Sequence, residues 1–182
     1  EEDNIDGVIF SKADLTINGA GALAITGSYK HGIVSKDDLV ITGGSFTITA
    51  NGQGLSGKDC VKINDGSFVI NTQADAVQSD NAEDASRGFV YIAGGDFTID
   101  AQGDGIQAET ALIISGGSFA VTTGGGSANA STQADGSFNP DWGNWGGGPG
   151  QTAQAEDTEE NASAKGLKAG VLLQVSGGRL QI

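Results

Sequence analysis

Charged and polar residues recur along this sequence in two columns at a near-constant interval. Lys12, Lys36, Lys58, Asp80 and Glu109 form the first column, with Asp37 and Asp59 standing beside two of its lysines. Asp6, His31, Gln53, Asp75, Asp104 and Lys165 form the second, Asp6 fitting one residue loosely. Carboxylates stacked at about 5 Å repel one another unless a counter-charge neutralises them. Asp75, Asp80, Asp104 and Glu109 are expected to converge at one corner, where the stretch NAEDASR adds Asn81, Glu83 and Asp84. An all-oxygen cluster of this kind suits a hard cation, Ca²⁺ first among them. The candidate metal ligands are therefore Asp75, Asp80, Glu83, Asp84, Asp104 and Glu109. No EF-hand or nonapeptide calcium motif accompanies them, and the competing reading is a solvated acidic edge paired with Arg87 and lysines.

The lysines offer ammonium groups in a line, which could meet successive carboxylates of an acidic polysaccharide or pair locally with Asp37 and Asp59. Trp142 and Trp145, the only tryptophans, could form a platform for sugar rings or tack their segment onto the body of the protein. The candidate carbohydrate-binding residues are Lys12, Lys36, Lys58, Asp37, Asp59, Trp142 and Trp145. The inventory for catalysis is thin. His31 is the single histidine and reads as a corner residue rather than a base, and Arg87 and Arg179 are the only arginines. A polysaccharide lyase needs a cation to acidify the sugar proton and a base to remove it, and a hydrolase needs two facing carboxylates. No catalytic residue is assigned.

The elements that must position these residues are visible in a repeat. HGIVSKDDLVITGGSFTITANG (from His31) is followed at once by QGLSGKDCVKINDGSFVINTQA, residue i matching i+22: Ile33 with Leu55, Lys36 with Lys58, Ile41 with Ile63, Phe46 with Phe68. Each unit holds two runs of alternating apolar and polar residues rich in β-branched side chains, separated by Gly-Gly or Asp-Gly, which predicts strands and turns. Further copies run from Asp6 to Lys30, from Asp75 to Asp100 around the NAEDASR insertion, from Asp104 to Thr123, and from Lys165 to Ile182. The columns Leu15/Leu39/Val61/Val90/Leu112/Leu173, Ile17/Ile41/Ile63/Ile92/Ile114/Val175 and Phe46/Phe68/Phe97/Phe119/Leu180 follow, with a small column Ser11/Ser35/Gly57/Ser79/Ala108/Ala169. One rung cannot bury its own face, whereas a stack can. The pattern predicts an all-β chain: a parallel β-helix of about six rungs, right-handed by the usual hand of parallel crossovers. A β-propeller would need a longer period, about 40 residues or more.

Residues 1–182 are read as one β-helix domain, the N-terminal part of a longer solenoid, because Ile182 ends a strand in full register with no polar cap. The open last rung is expected to pair with further rungs or with another chain. Residues 124–164 read as a flexible insertion, rich in Gly, Ser, Asn and acids. The formal net charge of −14 disfavours nucleic acid and anionic membranes as partners and favours bound cations. No apolar run reaches the ~18 residues of a membrane span. Cys60 is the only cysteine, so no internal disulfide forms, and no signal peptide is visible ahead of the acidic start.

On IDGVIFSKADLTI, HGIVSKDDLVITGGSF, DAVQSDNAEDASRGFVYIAGGDFTI, GDGIQAETALIISGGSF, TTGGGSANAS, WGNWGGG (Trp142–Gly148) and SAKGLKAG, the chain resembles the clostridial-type carbohydrate-binding β-helix family of cell-surface cellulose- and acidic-sugar-binding proteins. The resemblance spans nearly the whole chain. It implies a fold akin to pectate lyases, bound Ca²⁺, an extracellular or cell-surface location, and binding of polygalacturonate-like (pectin) chains and cellulose without established catalysis. The expectation is a calcium-dependent carbohydrate-binding module for acidic polysaccharide. The alternatives are a pectate-lyase-like enzyme and a passive surface rod.

Overall fold

The structure is a computed structural model and describes residues 6–124 and 164–182. It contains no helix among the described residues; eighteen strands fall into three parallel sheets of six. The first sheet holds β1 (Gly7–Ser11), β4 (His31–Ser35), β7 (Leu55–Gly57), β10 (Val77–Ser79), β13 (Ile106–Ala108) and β16 (Leu167–Ala169). The second holds β2 (Leu15–Ile17), β5 (Asp38–Ile41), β8 (Cys60–Ile63), β11 (Phe89–Ile92), β14 (Ala111–Ile114) and β17 (Leu172–Val175). The third holds β3 (Ala22–Gly27), β6 (Ser45–Ala50), β9 (Ser67–Thr72), β12 (Asp96–Ala101), β15 (Ser118–Thr123) and β18 (Arg179–Gln181). Every third strand pairs with its successor, so the chain visits the three sheets in turn and returns one rung further along: a parallel β-solenoid.

Each unit forms three strands where the sequence reads as two alternating runs. The first run breaks at Lys36–Asp37 and at Lys58–Asp59, just after the small Ser35 and Gly57, and the chain turns from the first sheet to the second. Both sides of the corner keep an alternating pattern, so the bend leaves no mark on the periodicity.

Alternation sets the core. Strands of the third sheet bury every second residue, as in Ser67–Thr72, where Phe68, Ile70 and Thr72 point inward. Parallel register then stacks like on like. Leu39, Val61, Val90 and Leu112 follow one another through the second sheet, as do Ile41, Ile63, Ile92 and Ile114. In the third sheet Phe46, Phe68, Phe97 and Phe119 stack with ring centroids 4.9, 4.6 and 4.7 Å apart and planes within 7° of parallel. That separation is the strand spacing itself, so the rings keep the repeat of the backbone. The turn into each of these strands needs a left-handed residue, met by Gly44, Gly66, Gly95 and Gly117 with φ from 104° to 137°. With no Cβ, glycine adopts this conformation without strain.

The insertion at 80–88 leaves from the corner between first and second sheets. The stretch between Gly124 and Ala164 leaves on the way from the third sheet to the first. Register resumes in place after each: Val90 pairs with Val61 and Leu167 with Ile106.

Candidate functional site: the polar face of the first sheet

The first sheet carries the polar columns on its two flanks, one at the entry to its strands and one at the exit. On the entry flank the side chains reach along the stack. His31 Nδ1 accepts the N–H of Gln53 at 2.9 Å, Asp75 Oδ1 accepts that of Asp104 at 2.6 Å, and Asp104 Oδ1 accepts that of Lys165 at 2.8 Å. Each side chain thus satisfies the backbone one rung ahead, which is why this position takes acceptors. Lys168 Nζ lies 2.9 Å from Asp104 Oδ2. Turned with its amide nitrogen toward the carboxylates, Gln107 donates to Asp75 Oδ2 at 2.8 Å and Asp104 Oδ2 at 3.2 Å. Gln53 donates to Gln78, the middle residue of the next rung's strand. Burial pushes the carboxyl of Asp75 up; the Asp104 N–H pulls it down, the Asp104 charge adds to the rise, and Lys168 partly offsets it. At the first rung Asp6 accepts from Lys30 at 3.1 Å and lies 3.5 Å from His31 Nε2. Burial opposes ionisation of Asp6, but Lys30 and His31 together hold its carboxyl below the usual range.

The exit flank is built around Arg87. Its guanidinium contacts Asp59, lies 3.4 Å from Asp84 and reaches to 4.0 Å from Asp37. Asp59 is buried and also accepts from the Asn81 amide at 2.5 Å. The other end of that amide, Oδ1, accepts the N–H groups of Glu83 and Asp84 at 2.9 and 3.1 Å. Asn81 therefore ties the insertion to the rung below it. Lys12 and Lys36 are exposed and Lys58 half-buried; Lys36 lies 5.9 Å from the centre of the Phe10 ring. The cation seated on Asp59 is Arg87.

The expected convergence of the six metal candidates divides into two rows. Asp75 and Asp104 precede β10 and β13; Asp80 and Glu109 follow them, with Glu83 and Asp84 in the exposed insertion. A three-residue strand rises about 10 Å, which is what separates the rows. Among the described residues, the one group of three acidic side chains whose oxygens lie within 4.8 Å of each other is Asp14, Asp37 and Asp38. Asp37 stood among the sugar-binding candidates, whereas Asp14 and Asp38 went unremarked; the parallel SKAD and SKDD stretches carried the signal. Lys62, 3.4 Å from Asp38, stands beside this group. Trp142 and Trp145 lie outside the described residues. Cys60 sits in register with Asp38, fully buried, its thiol pushed up to about 12 by burial and then by Asp38.

Sequence reasoning missed the outward centre of the first sheet, Gln78, Gln107 and Lys168, which lie in mutual register through Gln78–Gln107 and Gln107–Lys168. The alternation of VQS, IQA and LKA would have shown them. What results is a ribbon of amides, carboxylates and ammonium groups spaced at the rung repeat, able to present acceptors and donors periodically to a linear polymer.

A family model described as carbohydrate-binding domain-containing protein matches residues 1–182. No curated protein matches the sequence. Among solved structures, the chain is similar to a polysaccharide lyase-like protein from C. thermocellum, in the form of a gadolinium derivative, with a TM-score of 0.72 and 25% identity. The match covers 99% of this chain and 58% of that one, so this chain spans little more than half of that protein's length.

Proposed function

We propose, from the premise that this chain belongs to the carbohydrate-binding domain-containing protein family, that it binds an acidic polysaccharide of the pectin type along the outer face of its first sheet, with Ca²⁺. The observation that carries the reading is the recurrence of carboxylates at rung spacing on both flanks of the first sheet. On the entry flank Asp75 and Asp104 stand on successive rungs, with the Lys168 ammonium on Asp104. The donor chemistry fits calcium, since Asp14, Asp37 and Asp38 bring three carboxylate oxygens within 4.8 Å. Asp75 with Asp104 offers a second hard-oxygen group, and Asp80, Glu83, Asp84 and Glu109 line the exposed exit flank. Bound there, the metal would bridge carboxylates of protein and glycan, reconciling an acidic protein with an acidic ligand.

The chain's own residues would do the rest. Lys12, Lys36 and Lys58 meet sugar carboxylates along the exit flank, and Gln78 and Gln107 hydrogen-bond ring hydroxyls at the centre. Asp37 and Asp59 hold Arg87 and so shape that edge. The lyase alternative would need a base free to take the sugar proton, and Arg87 is engaged by Asp59, Asp84 and Asp37. We take the coil to be right-handed, the 124–164 stretch to be an excursion from one corner, and the protein to work at or outside the cell surface.

Affinity electrophoresis in polygalacturonate gels tests the reading. Migration should be retarded with calcium and restored by EGTA. The paired changes Asp14→Asn with Asp38→Asn, and Asp75→Asn with Asp104→Asn, should each weaken calcium uptake in calorimetry. Retardation that EGTA leaves undiminished would sink the calcium requirement. Appearance of ultraviolet-absorbing unsaturated product would establish the lyase instead.

A further inference from the structure

We propose that Asn18 is a site of spontaneous covalent modification, converting through a cyclic succinimide to aspartate and isoaspartate, and that the coil tolerates the change. Asparagine followed by glycine is open to this chemistry because glycine has no Cβ to shield its amide nitrogen. The sequence holds two such pairs, Asn18-Gly19 and Asn51-Gly52. The structure gives them opposite settings.

Asn18 and Gly19 lie between β2 and β3, at the corner where the chain passes from the second sheet to the third. Four residues, 18–21, join Ile17 to Ala22 there, whereas three join Ile41 to Ser45, Ile63 to Ser67, Ile92 to Asp96 and Ile114 to Ser118. The extra residue gives this loop slack that the other corners lack. Ile17 O and Gly21 O accept the N–H groups of Thr42 and Ser45 on the next rung. Among the described residues, neither the Asn18 side chain nor the N–H of Gly19 has a hydrogen-bond partner. Both residues are exposed, and a Cβ built on Gly19 would meet nothing within 4 Å.

Asn51 is held instead. Its Nδ2 donates to Ser28 O at 2.5 Å, and its own N–H donates to Gly27 O at 3.0 Å. Gly52 is buried, its N–H donates to Lys30 O at 2.6 Å, and a Cβ built on it would strike the His31 ring. The attacking nitrogen is occupied and hemmed in, so reaction there must wait for the rung to open.

At Asn18 the Gly19 nitrogen gives its proton to hydroxide and attacks Cγ. A new C–N bond forms, the Cγ–Nδ2 bond breaks, and ammonia leaves. Water then opens the cyclic imide at either carbonyl. Opening at the side-chain carbonyl yields aspartate; opening at the main-chain carbonyl yields isoaspartate, whose main chain runs through Cγ. Either product adds one negative charge to the formal −14. The iso form also lengthens the main chain by one carbon. Among the described residues no backbone group of residues 18–20 hydrogen-bonds to the next rung, so the added carbon breaks no ladder bond. The first sheet has no part in this corner, and the inference is independent of calcium and of any polysaccharide.

The test is incubation of the full 1–182 chain in mildly alkaline buffer, then proteolysis and tandem mass spectrometry, with isoaspartate counted by a carboxyl methyltransferase specific for it. A parallel sample unfolded in urea gives the unconstrained rates of both pairs, which should be similar. In the folded chain Asn18 should convert at least about tenfold faster than Asn51, whose reaction awaits local opening. Asn18→Gln must close a larger ring and should remain unmodified over the same interval. Converted protein, separated by ion exchange and identified by its peptide masses, should melt as the parent does. The proposal is overturned if folded Asn18 stays intact while the unfolded chain converts, if Asn51 keeps pace with it in the folded chain, or if the converted protein melts well below the parent.

Discussion

Asp75 and Asp104 occupy successive rungs at a spacing of about 4.8 Å. At an effective dielectric of about 20, two unit charges that far apart repel by roughly 3 kcal/mol. Lys168, 2.9 Å from Asp104, offsets most of this, and the Gln107 amide and the Asp104 N–H help. A residual cost on the order of 1 kcal/mol remains at neutral pH. Burial, reinforced by the Asp104 charge, raises the carboxyl of Asp75 despite the pull of the Asp104 N–H and Lys168. A carboxyl raised on folding contributes most below its unfolded value, and that contribution is lost as pH rises through the folded one. Asp75→Asn keeps an oxygen for the Asp104 N–H and drops the charge. In EGTA at pH 7 it should therefore stabilise the protein by about 1 kcal/mol, a rise in Tm of about 2–4 °C for a chain of this size. At pH 3, where Asp75 is protonated in both states, the gain should vanish. Circular dichroism melts at the two pH values, with EGTA or with excess calcium, make the measurement. In calcium the order should reverse, because only the parent keeps the ligand. A variant that melts below the parent at pH 7 in EGTA would refute the account of this pair.

Three other outcomes are expected. His31 accepts a backbone N–H through Nδ1, and burial lowers its ionisation, against an opposing pull from Asp6; its stabilising contribution is present above about pH 6.5 and lost as pH falls through the lower folded value. Urea unfolding should show that loss in the parent and a flatter profile in His31→Gln. Phe68→Ala removes a ring sandwiched between Phe46 and Phe97 and should cost about 3–5 kcal/mol; a change under 1 kcal/mol in denaturant midpoint analysis would mean the ladder contributes little. Asn81→Ala strips Asp59 of its amide partner and the insertion of its acceptor, for a cost of about 1–3 kcal/mol; hydrogen exchange at Glu83 and Asp84 should accelerate well before global unfolding.

The stacked columns were legible because a solenoid repeats one decision many times. Leu39, Val61 and Val90 each report the same inward position, and coincidence across rungs outweighs ambiguity within any one. The small column through Ser35 and Gly57 fits the tight corner that follows it, but alternation runs through that corner unbroken, so each unit reads as two runs where the chain forms three strands. The polar columns were found, but their grouping was not. Sequence places Asp75 and Asp80 five residues apart, and only the extended rise of β10 sends them to opposite flanks. Arg87 lay in an insertion with no counterpart in other rungs, so no column could reveal that it reaches back to Asp59 and Asp37. Asp14 and Asp38 were visible as a matched pair 24 residues apart, and the third member, Asp37, had been read for a different purpose.

Gly124 and Ala164 stand close enough that a β-carbon on the glycine would lie 3.1 Å from that of the alanine. The two anchor points of the 39 residues between them are thus nearly coincident. Closing such a loop costs free energy only logarithmically in length, about 0.6 kcal/mol per doubling. The corner is in effect a socket: shortening, lengthening or exchanging the segment for a foreign peptide should leave the coil intact. A protein built this way can change what it displays without renegotiating how it folds.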